Sequence, residues 1–147
     1  MTVDIADRLH SAAIHLLRRL RTEDAATGLT APRLSALSVV VFGGPINLGD
    51  LAAAEQVRPP TVSRLVRDLE ADGLVTVRPD PSDARVRLAE ATQKGRRLLQ
   101  EGRARRVSRL ASELDGLPRA DRETLVRAVE ILEGLLLPQG RPGPGGS

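Results

Sequence analysis

The feature that most constrains this chain is a change of period at Gly73. Before it, Val62, Leu65, Val66 and Leu69 recur at three- and four-residue spacing, which puts one apolar stripe on a helix from about Pro59 to Asp72, stopped by Gly73. After it, Leu74-Val75-Thr76-Val77 reads as a strand, Pro79-Asp80-Pro81-Ser82-Asp83 is turn chemistry, and Arg85-Val86-Arg87-Leu88 reads as the returning strand of a β-hairpin. Upstream lies a short helix, Leu48 to about Ala54. Asn47 is placed to cap it and Asp50 favours its first turn. A turn at Glu55-Gln56-Val57 separates the two helices.

Longer helices flank this centre. Ile5, Leu9, Ala12, Leu16 and Leu20 make an amphipathic helix from Asp4 to Leu20, ended or followed by Thr27-Gly28. Thr30 is a hydroxyl N-cap ahead of Pro32, opening a helix that stops at Gly43-Gly44-Pro45. Its Val39-Val40-Val41-Phe42 end is apolar on all sides, which places it centrally in the fold. Thr92 caps a long helix that Gly116 and Pro118 break, and a last helix spans about Arg119 to Leu137 with Leu125, Val129, Leu132 and Leu136 on one stripe. The fold class that follows is mainly α with a small β-hairpin wing: a winged helix-turn-helix over 31–91, flanked by terminal helices over 1–30 and 92–137. Those terminal helices carry more apolar face than so small a domain covers by itself, which argues for a homodimer built from them. The Pro/Gly-rich tail, 138–147, is expected to be disordered.

Charge is distributed unevenly. Residues 58–109 hold 13 of the 22 basic side chains and 7 of the 19 acidic ones, a local excess of six positive charges in a chain whose net charge is +3. A basic centre between neutral or acidic flanks suits a polyanion. Phe42 is the sole aromatic residue, so the base-stacking platforms of single-strand binders are missing. With no cysteine, thiolate zinc sites, disulfides and thiol redox sensing are excluded. No signal sequence or membrane-spanning apolar run is evident, and the expected location is the cytoplasm.

On the helix from Pro59, the face opposite the apolar stripe presents Pro60, Thr61, Ser63, Arg64 and Arg67, with Arg58 just before it and no acid between Arg58 and Arg67. Short polar and basic groups suit base edges and phosphates of duplex DNA. The N–H groups at the helix start are expected to favour a phosphate.

Here the chain resembles the MarR family of bacterial transcription regulators over roughly residues 5–137. The residues that carry the likeness are Leu51-Ala52, the run Pro60-Thr61-Val62-Ser63-Arg64-Leu65-Val66, Leu69-Glu70-Ala71-Asp72-Gly73-Leu74-Val75, the wing Asp80-Pro81-Ser82-Asp83-Ala84-Arg85, and Thr92-Gln93-Lys94-Gly95. The resemblance implies that Arg85 enters the minor groove, that Asp83 holds its guanidinium in a fork-like ion pair, and that Thr61, Ser63, Arg64 and Arg67 face the major groove or its phosphates. It implies backbone contacts for Arg58 and Arg87. It further implies a homodimeric repressor on a pseudo-palindromic operator, responsive to a small aromatic or phenolic anion. Three positions depart from the family pattern: Glu55 and Gln56 stand where an apolar residue and glycine are usual, Arg58 where a serine caps, and Ala91 where leucine precedes Thr92.

His10 and His15 are five residues apart and share no ligand face, so no metal site or cofactor is expected; they border an effector pocket or are ordinary surface. The basic run Lys94–Arg106 is either a solvated face or a neighbour of DNA phosphate or an acidic effector. No nucleophile-base pair, phosphate loop or carboxylate pair supports an enzyme. A winged helix that binds protein instead of DNA is the alternative reading, opposed by the basic face and the Asp83/Arg85 pair.

Overall fold

A computed structural model describes residues 1–136 of the chain. Those residues form two compact units, 1–107 and 108 onward. The first contains α1 (Thr2–Arg21), a 3-10 segment (Thr22–Thr27), α2 (Ala31–Gly43), β1 (Ile46–Asn47), α3 (Leu48–Glu55), α4 (Pro59–Ala71), β2 (Val75–Pro79), β3 (Arg87–Ala91) and most of α5 (Gln93–Asp115). The second holds the end of α5 and α6 (Arg119–Leu136). The expected disorder at 138–147 lies outside the described residues.

The core of the first unit is aliphatic. Ala36, Leu37 and Val40 of α2 meet Leu51 and Ala52 of α3, Val62, Val66 and Leu69 of α4, and Leu74, Val75, Ala89 and Ala91 of the sheet. With no aromatic ring inside, close fit among branched aliphatic side chains supplies the packing. Phe42 corrects an expectation: α2 buries Val40, but Phe42, the last residue but one, is 77% exposed. Gly43 and Gly44 end the helix there, and the ring projects where no other element covers it.

The sheet has three antiparallel strands in the order β1-β3-β2. The hairpin was legible; β1 was not. Ile46 and Asn47 pair with Ala89 and Leu88, and two residues are too few to display a period. Asn47 then serves twice, since its Oδ1 accepts from Asp50 N at 2.7 Å and starts α3. Thr30 sits at the N-cap of α2 in extended conformation, but its side chain makes no capping bond, against expectation. Pro32 in the first turn sets the helix start by its fixed φ instead.

At the turn after α3, Gln56 has φ +55, the left-handed region. That explains why glycine is usual there and why glutamine is a departure. In the second unit, Arg122 Nη1 donates to the carbonyls of Asp115 and Leu117 at 3.2 and 3.0 Å and fixes the α5–α6 corner. Neither α1 nor α6 buries a single residue: Ile5, Leu9, Leu16 and Leu17 on α1, and Val126, Val129 and Leu135 on α6, are exposed. Among the described residues no single helix is long and apolar enough to cross a membrane.

Candidate nucleic-acid interface

Burial of Val62, Val66 and Leu69 fixes the roll of α4. Pro60, Thr61, Arg64 and Arg67 are consequently exposed, while Ser63 is half-buried at the edge of that face. Two contacts hold the helix pair in place. Arg33 of α2 donates to Asp68 Oδ2 at 2.7 Å, and Ser35 Oγ donates to Glu55 Oε1 at 2.9 Å. Sequence reading missed both, because partners 35 and 20 residues apart leave no local signal.

The start of α4 corrects a second expectation. Pro59 and Pro60 occupy its first positions and have no N–H, and the next two amides, Thr61 N and Val62 N, both donate to Arg58 O. A phosphate at this helix end would find no free amide. Any contact here falls to side chains: Arg58, exposed at the N-cap in extended conformation, and Thr61.

The wing loop, 80–86, is closed by Asp80 N donating to Val86 O at 2.8 Å and Val86 N donating to Asp83 O at 2.9 Å. These bonds delay the returning strand, which begins at Arg87 and not at Arg85. Arg85 therefore belongs to the loop. Asp80 Oδ1 accepts from Ser82 N and Ser82 Oγ at 2.7 and 2.6 Å. Asp83 Oδ1 accepts from Arg85 N and Arg85 Nε, both at 3.1 Å, and Asp83 Oδ2 accepts from Arg85 Nη2 at 3.4 Å. The fork-like pair is thus present, while the Arg85 side chain stays 92% exposed. The hydrogen bonds from Arg85 hold the Asp83 carboxyl below its ordinary value, and those from Ser82 do the same for Asp80. Arg87 is exposed at the start of β3. At the wing base, Arg78 Nε approaches Glu90 Oε2 at 3.4 Å across the strands, and Glu70 Oε2 of α4 accepts from Val77 N at 3.0 Å.

The basic run on α5 resolves into distinct environments. Lys94 Nζ donates to Asp72 O at 2.8 Å. Arg106 Nη1 pairs with Asp24 Oδ1 of the 3-10 segment at 2.5 Å. Arg96, Arg103 and Arg106 line a cavity of about 290 Å³ together with Ser38 and Phe42 of α2. Arg21, Asp24 and Arg106 border another of about 620 Å³. His10 and His15 are exposed on α1 and line neither cavity. Among the described residues no group of three or more acidic, histidine or cysteine side chains could hold a metal ion.

A short helix, a tight turn, a second helix with a basic outer face and a hairpin beside it are the parts of a winged helix-turn-helix DNA-binding protein. Comparison with known proteins narrows this class. Residues 27–86 match the model of the MarR family. An HTH-type transcriptional regulator of Mycobacterium tuberculosis is 32% identical over 132 residues, covering 90% of this chain and 92% of that protein. The crystal structure of transcriptional regulator Tm0710 from Thermotoga maritima superposes with a TM-score of 0.81 at 26% identity, over 90% of this chain and 93% of its own. CouR from Rhodococcus jostii, solved bound to p-coumaroyl-CoA, is 28% identical with a TM-score of 0.58, over 95% and 96% of the two chains. The chain belongs to the MarR family of transcriptional regulators, and it is a DNA-binding regulator, not an enzyme.

Proposed function

We infer that the chain is a ligand-responsive repressor that binds a pseudo-palindromic operator as a homodimer. The observation that carries this reading is the Asp83–Arg85 fork, which holds one exposed guanidinium on a hydrogen-bonded wing loop. Preorganisation lowers the entropy lost on entering a groove, and a narrow A·T-rich minor groove attracts arginine. Thr61, Ser63, Arg64 and Arg67 of α4 then read or flank the major groove, and Arg58 and Arg87 contact backbone phosphates. The dimer rests on the apolar faces that α1 and α6 leave uncovered. The effector is a small organic anion. Arg96 and Arg103 beside Phe42 supply positive charge and one aromatic face, and CouR, solved with the larger organic anion p-coumaroyl-CoA, supports an anionic effector with a phenolic end.

Fluorescence anisotropy with duplex DNA from upstream of the gene, over a salt series, tests the reading. The expected result is tight binding whose logarithm falls steeply and linearly with the logarithm of salt concentration. A folded dimer that shows no binding at low salt would overturn it. Light scattering at micromolar concentration is expected to give twice the chain mass.

A further inference from the structure

The C-terminal end of α4 is gripped by the start of α5 at three consecutive carbonyls. Lys94 Nζ donates to Asp72 O at 2.8 Å, Thr92 Oγ1 to Gly73 O at 2.7 Å, and Thr92 N to Leu74 O at 3.0 Å. Thr92 Oγ1 also accepts from Gly95 N at 3.1 Å, so the same hydroxyl caps α5. Gly95 has no side chain where one would collide: a Cβ there would stand 2.2 Å from Leu74 O. Thr92, Lys94 and Gly95 thus hold Asp72, Gly73 and Leu74, the residues that lead from the end of the helix carrying Thr61, Arg64 and Arg67 into the wing.

Of these contacts only that of Lys94 carries charge. Its ammonium lies at the negative end of α4, on the carbonyl of the C-cap residue Asp72. It is also the sole lysine among 22 basic residues, all the others being arginine. A compact ammonium on a flexible stem reaches a single carbonyl, where a planar fork suits carboxylates and phosphates. We propose that Lys94 is a positioning residue for DNA binding: it locks the recognition helix α4 to α5 through Asp72 O and contacts no phosphate itself. The proposal rests on α4 being the DNA-reading helix. In consequence the orientation of α4 is set from α5.

The lone lysine makes a single-site test available. Treating the folded full-length protein with an N-hydroxysuccinimide ester of acetic acid acylates Lys94 and the α-amino group. The amine nitrogen bonds to the acetyl carbon, N-hydroxysuccinimide leaves with the electron pair, and the amine proton passes to buffer. Lys94→Arg, treated identically, reports the α-amino contribution and keeps both the positive charge and N–H donors for Asp72 O, whereas the acetylated side chain keeps one N–H, loses the charge and carries a bulky acetyl group beside the carbonyl. Acylation of the parent is expected to weaken duplex binding about tenfold, with the salt slope unchanged, and Lys94→Arg is expected to stay within about twofold of the untreated parent. Lys94→Met gives the acylated phenotype if the amine resists the reagent. Amide exchange, read without DNA, is expected to speed up at Gly73 and Leu74 in the acylated protein. A salt slope shallower by about one phosphate would make Lys94 a phosphate contact. Unchanged affinity, or a lower melting temperature at unchanged affinity of the folded fraction, would leave it no positioning role. If the untreated protein fails to bind DNA, the DNA reading fails, while amide exchange still reports whether Lys94 holds the joint.

Discussion

Gly95→Ala tests the closest approach in the fold. In a helix interior this exchange ordinarily stabilises by about 1 kcal/mol, because alanine loses less backbone entropy on folding. Here the new Cβ would stand 2.2 Å from Leu74 O and 3.2 Å from Leu37 Cδ1. The first obstacle is backbone and the second belongs to a fully buried residue, so neither swings aside. Ordinary contact requires α5 to back away by about 1 Å. That displacement stretches the bonds from Thr92 N and Thr92 Oγ1, now 3.0 and 2.7 Å, beyond useful length. Overpacking costs about 1–3 kcal/mol and the two weakened bonds about 1 kcal/mol each. After the helix gain is subtracted, the net loss is about 2–4 kcal/mol, a fall in Tm of about 6–16 °C for a chain of this size. Urea and thermal unfolding followed by circular dichroism measure it. Gly134→Ala on α6 is the control, since nothing lies within 4 Å of its Cβ position, and it is expected to raise stability by up to about 1 kcal/mol. A Gly95→Ala protein that melts at or above the parent would refute the reasoning.

Three further outcomes are expected. Arg85→Ala weakens operator binding by about 1–3 kcal/mol and leaves the melting temperature nearly unchanged, because the side chain is 92% exposed and its pair with Asp83 is screened by solvent; equal affinity in anisotropy would return Arg85 to a structural part of the loop. Gln56→Gly raises stability by up to about 1 kcal/mol by relieving the left-handed residue after α3, and a drop in the urea midpoint would contradict the strain. The Asp83 carboxyl is held below its ordinary value of 3.8 by Arg85, so the clamp is complete above that value and is lost only as pH falls through the depressed one; the affinity difference between parent and Asp83→Asn should therefore stay constant from about pH 5 to 8, and a difference that vanishes by pH 5 would remove the ion pair from the account.

The parts that could be read from sequence share one property: their signals are local. The period change at Gly73 marks the α4–β2 boundary, and Asp80–Arg85 spells its own loop, because each aspartate bonds a residue two positions on. What escaped reading depends on distance or on competition. Ile46 and Asn47 become a strand only because Leu88 and Ala89 lie alongside. Arg33 and Asp68 look like surface charges until α2 and α4 are packed together. The N–H groups at the start of α4 were expected to favour a phosphate, but the rings of Pro59 and Pro60 remove the donors that a phosphate would use. At the wing, turn bonds outcompeted strand propensity and moved the start of β3 from Arg85 to Arg87.

The contact between Glu70 and Val77 N has a consequence for solubility. β2 is one of the two edge strands of the sheet and the longer of them, and an uncovered edge offers its amides as a template on which another chain can grow a fourth strand. A carboxylate from α4 already occupies the amide of Val77, and to any approaching strand it presents a negative charge. The exposed hairpin therefore carries, on this edge, a built-in obstacle to edge-to-edge pairing.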